Sequence, residues 1–409
     1  MNRQAANRQD AKAPRANGGG ERAPRKTAID VGRPRASELR HYERVVEHAF
    51  HSAHEPATAH AWATRVGAAN MRVARLGRRV AGGFLWYPMG QWFGGRRVPM
   101  WGVAAVGTLP EHRSKGVASA MMRAAMEEAS REGVALSCLY PATQPVYRRV
   151  GFEQAGTFQS WSLATEEIAA RERGLEIREA GRRDERTIRA IAGEFARRSN
   201  GTLDRPDALW ERIFRPIKGD SFAYLAGDEG YVVYCKEPSG QHYDLVLRDW
   251  AALTPAAGRR LLTFFADHRS LADHVRFAAG PTSPLLMLDR EQAAKPVRAL
   301  RWMLRIVDVK AALEARGYGA GVAAEAHLDV RDDVLPSNAG RWTLEVSGGR
   351  ARVRKGGRGT VTIDVRGLAA LFSGFMSPRE LVATGYVDGH CDALDAMFAG
   401  PHPWMAEIF

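Results

Sequence analysis

The chain has 409 residues, with 59 Lys+Arg against 46 Asp+Glu for a formal net charge of +13, and 45% of its residues are hydrophobic. That length exceeds one ordinary domain and predicts two or three, and no apolar run reaches the roughly eighteen residues of a membrane-spanning helix. Cys138, Cys235 and Cys391 are far apart and lack metal-ligand spacing, and the N-terminus has no apolar signal core, so a disulfide framework, a zinc site and a secretory signal are not expected and a reduced, cytoplasmic setting is.

Residues 1–26 hold seven Lys/Arg and two acids in a stretch rich in Ala, Arg, Gly, Asn and Gln. Such a stretch cannot bury enough apolar surface to fold alone, and residues 1–28 are expected to be a disordered basic tail. Its charge also suits weak contact with nucleic acid or an anionic surface. No aromatic side chain is interleaved with the basic ones, so stacking on bases, and with it specific nucleic-acid binding, is not expected.

The first folded unit starts near Ser37, a candidate cap, with a helix whose Leu39, Tyr42, Val45, Val46, Ala49 and Phe50 share a face. Strands are predicted over 70–76 and 79–87, joined at Gly77-Arg78, then a glycine-rich turn from Gly90 to Arg96 carrying Trp92 and Phe93, then a strand over 99–108. Beyond it comes His112-Arg-Ser-Lys-Gly-Val-Ala118, opening a helix in which Val117, Met121, Met122, Ala125, Met126 and Ala129 form one apolar stripe and Gly133 supplies the stop.

The first N–H groups of such a helix have no helical partners and carry the positive end of the macrodipole, so an anion there gains several donors at once. Gly116 removes the Cβ that would hold a phosphate away from the backbone, and Arg113 and Lys115 add countercharge. The same pattern also serves as a plain helix start. A buried strand over 134–140 and the string Val146-Tyr-Arg-Arg-Val-Gly-Phe152 follow, and a strand over 157–164 closes the unit. With these neighbours, residues 30–165 resemble the GNAT N-acetyltransferases, in which a basic-x-x-Gly-x-Gly/Ala loop holds the pyrophosphate of acetyl-CoA and the flanking strands splay to admit the pantetheine arm.

A second pass of the same element order begins at Leu175. Helices are expected over 184–198 and 207–214, a hairpin at Asp228-Glu229-Gly230, a strand over 243–249 and a helix opened by Thr254-Pro255. The basic loop is missing, so this reads as a degenerate second GNAT-like domain. After Pro296 a strand merges into a helix over 297–313. Short strands over 327–331, 341–347, 351–355 and 360–365 and helices over 367–373, 378–384 and 392–399 follow, resembling a sterol-carrier-protein module.

The expected fold is α+β, mixed α/β: a catalytic GNAT domain over 29–166 and a degenerate one over 167–298, each with a central mixed sheet, then a sterol-carrier-like domain over 299–409. This arrangement resembles the enhanced intracellular survival (Eis) acetyltransferase family along nearly all of residues 30–409. The resemblance implies an N-acetyltransferase using acetyl-CoA as co-substrate and no metal. It maps cofactor contacts to Val106, Gly107 and Thr108, to Ser114, Lys115, Gly116, Val117, Ala118 and Ser119, and to Ala142 and Thr143. It maps the proton donor to Tyr147 and the proton acceptor to the terminal carboxylate of Phe409.

Without the resemblance, Tyr147 is equally a tyrosine packed in a short helix, and Phe409 a frayed end. The apolar Trp404, Met405, Ile408 and Phe409 favour docking. The implied acceptor is an amine on an aminoglycoside, a polyamine or a lysine-type peptide. Phe50-His51-Ser52-Ala53 lacks the acidic residue of polyamine-accepting relatives, His51 and His54 are candidate substrate contacts, and Glu407 offers one carboxylate. Trp62, Trp86, Trp92 and Trp101 fit an aromatic wall or the core. The resemblance also implies a homo-oligomer, a hexamer, without membrane association. The competing expectation is a lipid-binding or regulatory scaffold in which the GNAT part is inert.

Overall fold

The structure, a computed structural model, describes residues 28–49, 64–217, 219–289, 291–389 and 392–409. The basic tail, Phe50 to Ala53, His54, Trp62 and Cys391 lie outside the described residues. No helix among the described residues is long and apolar enough to cross a membrane.

Ile29–Gly32 (β1), Met71–Leu76 (β2), Arg79–Phe93 (β3) and Arg96–Thr108 (β4) pair antiparallel in sequence, and Leu136–Leu139 (β5) joins β4 in parallel. Helix α1 (Leu39–Ala49) covers one face of this sheet and α2 (Val117–Arg131) the other. The six residues of the expected apolar stripe are the six that α2 buries, and Gly133 ends it with φ +68°. Each buried Val or Met of that stripe contributes about 1.5–3 kcal/mol relative to exposure.

Two local expectations are corrected. Ser37 is not the cap of α1: Glu38 accepts the Arg35 N–H at 2.7 Å and also pairs with Arg75, so the acidic side chain closes the entry turn. Gly90 to Arg96 is not one turn either. β3 continues to Phe93 and only Gly94-Gly95 turn, because Gly90 leaves room for the Arg97 side chain that crosses it and Trp92 and Phe93 are buried as strand residues.

Glu153–Ala164 (β6), preceded by the short helix α3 (Gln144–Arg148), does not pair with β5. The chain first builds a second unit from Ile177–Glu179 (β7), α4 (Glu185–Arg197), Leu203–Asp204 (β8), α5 (Asp207–Phe214), Phe222–Ala226 (β9), Gly230–Ser239 (β10), His242–Ala252 (β11), α6 (Pro255–Ala266) and Ala272–Ala278 (β12). It then returns as Lys295–Ile306 (β13), which runs across the expected junction at 298/299 and inserts between β5 and β6, antiparallel to both. β12 pairs with the other edge of β6, so both units share one 13-stranded sheet.

The C-terminal unit has a five-stranded sheet of Ala324–Arg331 (β14), Gly340–Ser347 (β15), Arg350–Lys355 (β16), Val361–Asp364 (β17) and Val387–Asp388 (β18). Its helices are α7 (Val309–Ala315), α8 (Val365–Ser373), α9 (Pro378–Ala383) and α10 (Asp392–Phe398). Its core is continuous with that of the first unit. One cluster runs from Tyr42, Leu85 and Met100 through Trp302 and Leu304 to Leu368, Phe372 and Phe398. At the seam, the Arg305 guanidinium pairs with Asp332 at 2.7 Å with both side chains fully buried.

Candidate active site

β4 and β5 pair only through Met100–Gly102 and Leu136–Cys138, and then part. β4 remains bonded to β3 on its other edge as far as Thr108, so the β5-facing edge of residues 103–108 is left open. A bulge with Ala105 at φ +51° interrupts the register between Gly83 and Leu85. Such an αL alanine costs about 1–2 kcal/mol, and it re-aims the strand over Val106, Gly107 and Thr108. Val106 packs toward α2, whereas a Cβ on Gly107 would lie 2.8 Å from Val45 and Ala49, so this glycine admits α1.

The loop beyond turns at Pro110–His112 and then takes two left-handed residues, Ser114 at φ +61° and Gly116 at φ +81°. Gly116 caps α2 with no side-chain bond, and the helical ladder opens with Ala120 N–H to Gly116 O at 3.0 Å. The N–H groups of Val117, Ala118 and Ser119 precede that bond. Alternating right- and left-handed residues at a helix start make a concave nest of donors. Ser114, Lys115 and Gly116 are exposed, and a Cβ on Gly116 would meet nothing within 4 Å, so the cradle is open. This donor set fits a diphosphate.

Ala142 and Thr143 are exposed just past β5, with Thr143 leading into α3. On that helix Tyr147 is 6% exposed, packed on the α2 face with Trp86, Val103, Val117 and Met121 and edge-on to Phe152. Burial pushes its phenol up to about 12.

The C-terminal segment approaches from the opposite face. Thr157 N–H donates to Pro403 O and Met405 N–H to Thr157 O, both at 3.0 Å, and Trp404 N–H donates to Asn200 O at 2.9 Å. The end is docked rather than frayed. The Phe409 ring lies edge-on to Tyr87 and Tyr140 with centroids 6.0 and 6.1 Å apart, against the α1-side cluster. It sits over Gly102, the last β4 residue paired with β5. Tyr147 and Phe409 therefore belong to opposite faces of the sheet, with the parting of β4 and β5 between them. The Tyr140 hydroxyl is buried there without a partner among the described residues, and burial raises its ionisation well above the usual phenol range.

Two residues before the end, Glu407 is engaged rather than free: it pairs with Arg205, which grips Asp249 in a fork at 2.7 and 2.9 Å. These residues line a cleft of about 250 Å³ with Trp92, Trp210, Trp250 and Trp404. Its wall carries Arg189, Arg205 and Arg248 against Asp204, Asp249 and Glu407. Trp86 and Trp101 instead pack against each other on the α2 side, tilted by 58° with 5.1 Å between centroids. Sequence reading missed Gly102, Tyr87, Tyr140, Arg205, Asp249 and Tyr231 at this site. Only the strand-end positions of Tyr140 and Asp249 offered a signal.

Known proteins resemble this chain along most of its length. The acetyltransferase (GNAT) domain family matches residues 30–155, a second acetyltransferase (GNAT) family residues 201–306, and the sterol carrier protein domain residues 309–406. The crystal structure of a GCN5-related N-acetyltransferase from Anabaena variabilis superposes with a TM-score of 0.90 at 36% identity, covering 93% of this chain and 100% of that one. An uncharacterized N-acetyltransferase of Streptomyces griseus is 29% identical over 357 residues, 77% of this chain and 83% of that protein. The N-acetyltransferase Eis of Mycobacterium tuberculosis is 28% identical over 324 residues, 73% of this chain and 77% of that protein.

Proposed function

Because the chain belongs to the GCN5-related N-acetyltransferases, with the Eis-like order of two such domains and a sterol-carrier domain, we propose that it moves acetyl from acetyl-CoA to an amine by direct attack across the opening between β4 and β5. The observation that carries this is the docked C-terminus, which brings Phe409 to the point where the two strands part.

Acetyl-CoA, when bound, supplies the acetyl group as a thioester. The N–H groups and side chains of Ser114 to Ser119 hold its diphosphate, and the open edge at Val106, Gly107 and Thr108 pairs with its amides as an added strand would, with Ala142 and Thr143 on the far wall. Tyr147 keeps its proton at any physiological pH, being pushed up to about 12. A phenol that weak lies roughly three units above a free thiol, so its role is a hydrogen bond to the sulfur as charge develops there. The carboxylate of Phe409, whose ring packs on the α1 side, accepts a proton from the acceptor's ammonium so that the neutral amine attacks the thioester carbon and the C–S bond breaks with thiolate leaving. An α-carboxylate is a poor base at about 3.5 in water, so the role depends on positioning, and the Phe409 ring anchors the chain end, edge-on to Tyr87 and Tyr140 and over Gly102.

For the acceptor, aminoglycoside, polyamine and lysine-type amines are the classes in question. The homohexamer and the cytoplasmic setting implied by the resemblance stay part of this reading, and mass in solution tests the first. The scaffold alternative finds no support in the open cradle at Gly116.

The deciding experiment is CoA release from acetyl-CoA across a panel of aminoglycosides, polyamines and lysine peptides, with Tyr147→Phe beside wild type. Turnover with at least one amine is expected, reduced about 10²-fold or more in the variant. No release with any amine, together with no acetyl-CoA binding, removes the enzyme reading.

A further inference from the structure

The second α/β unit lacks a phosphate cradle, and its own geometry explains what occupies the corresponding cleft. β11 and β12 pair in parallel only over Tyr243–Val246 and Ala272–Arg276, then diverge just as β4 and β5 do. At the head of α6 the Thr254 hydroxyl accepts the Ala257 N–H at 3.1 Å and Pro255 has no N–H, so this helix start is already capped. Between the diverging ends lies a cavity of about 300 Å³ whose wall includes Trp250, Pro255, Gly280, Leu285 and Trp404. The indole of Trp404 is seated so closely that a Cβ on Gly280 would stand 2.8 Å from it. The chain's own C-terminal segment thus enters the cleft that in the first unit is left open.

On the other side of Trp404 the segment meets a buried charge cluster. Arg205 follows β8, which is fixed to β3 through Gly90 and Gln91, so its backbone is tied to the catalytic sheet. Its guanidinium is oriented from three directions: the fork to Asp249, the Tyr231 hydroxyl that donates to Asp249 at 2.5 Å from behind, and the Trp210 ring 4.7 Å below. Only the Nε edge remains, and it engages Glu407. The side chains of Arg205, Asp249 and Glu407 are 11%, 4% and 12% exposed. A pair this buried is worth little net stability against an apolar substitute, but it fixes register, because any slip of the tail leaves a charge unpaired. A one-residue slip would displace the chain end by about 3.3 Å.

We propose that the second unit is the dock for the C-terminal segment, with Arg205 a positioning residue that sets where the Phe409 carboxylate stands. This rests on the reading of that carboxylate as proton acceptor. Arg205 touches neither substrate nor reacting atoms in this scheme. It acts through Glu407, two residues before the end of a segment whose Ile408 carbonyl is also held by Arg212 at 3.2 Å.

The test uses the full-length protein with Glu407→Gln, which keeps size and leaves Arg205 paired to Asp249, and Arg205→Lys, which keeps charge and loses the fork. Both are expected to lower kcat about 10- to 100-fold while KM for acetyl-CoA stays within about twofold, the split expected from misplacing a base without touching the cradle. Both are expected to speed release of Phe409 by a carboxypeptidase by about tenfold or more, a readout independent of turnover. A version lacking Phe409 separates the failures. If it keeps wild-type kcat, the base assignment falls and the proposal with it. If it loses turnover while Glu407→Gln keeps wild-type kcat, or releases Phe409 at the wild-type rate, the positioning role is overturned and the base assignment stands.

Discussion

A methyl group on Gly102 would stand 2.6 Å from the ring of Phe409, although the two residues lie at positions 102 and 409 of the sequence. Gly102 is a strand residue whose missing Cβ leaves space for the Met89 side chain and for the ring at the chain end. Gly102→Ala is therefore expected to cost about 1–3 kcal/mol of stability through overpacking and to lower kcat about tenfold by lifting the ring. Thermal melts and steady-state rates measure both, and wild-type kcat in this variant would mean that the ring position is unimportant.

The same proximity governs extension of the chain. With the Phe409 ring held edge-on to Tyr87 and Tyr140 and over Gly102, a C-terminal tag converts the carboxylate there to an amide. Turnover is expected to drop by at least about two orders of magnitude, in line with loss of a general base, and to return once the tag is cleaved back to Phe409. Full turnover with the tag in place sinks the base assignment.

Gly116→Ala probes the cradle. At φ +81° the alanine costs about 1–2 kcal/mol locally, and its Cβ points into open space where a phosphate oxygen is expected. The expected result is a rise of about tenfold in KM for acetyl-CoA with kcat at saturation nearly kept. An unchanged KM would remove the loop from cofactor binding.

Tyr140 was not anticipated, and its orphaned hydroxyl makes a two-sided prediction. Tyr140→Phe removes a buried polar atom without a partner, so stability is expected to hold or rise by up to about 1–2 kcal/mol. If that hydroxyl serves the acceptor amine, KM for the amine rises while KM for acetyl-CoA does not.

Glu38 gives a pH test unrelated to catalysis. Its hydrogen bonds with the Arg75 guanidinium, opposed by burial and aided by the Arg35 N–H of the entry turn to α1, hold its carboxyl down to about 2. A depressed carboxylate adds stability that is fully present above its unfolded value near 4.5 and is lost as pH falls through about 2. Glu38→Gln is expected to cost about 1–2 kcal/mol at pH 7 and to converge with wild type near pH 2, as followed by denaturant midpoints.

What the sequence revealed follows from how local each feature is. The six buried residues of α2 repeat at helical spacing, so they were legible, as were Gly133 and the Thr254-Pro255 start of α6. Gly90 was read as turn punctuation because nothing nearby shows that the Arg97 side chain crosses it. Ser37 was a reasonable cap, outcompeted by Glu38 only because Arg75, 37 residues on, pairs with that carboxylate. Arg205 with Glu407, and Phe409 with Gly102, join residues about 200 and 300 positions apart, and no local period encodes such pairs. The position of Phe409 was expected only through family resemblance.

The insertion of β13 between β5 and β6 also bears on how the protein is made. A nascent chain that has emerged only through β6 holds a sheet with a missing rib, its β5 and β6 edges bare, and Leu304 and Trp302 of the later strand are what fill the space beneath. Closure waits for about 140 further residues, so the contact order of the catalytic half is high and its unpaired edges are exposed to misassembly in the interval. The enzyme is consequently indivisible in synthesis: the half that bears the Gly116 loop is completed only when the chain has passed through the second unit and returned as β13.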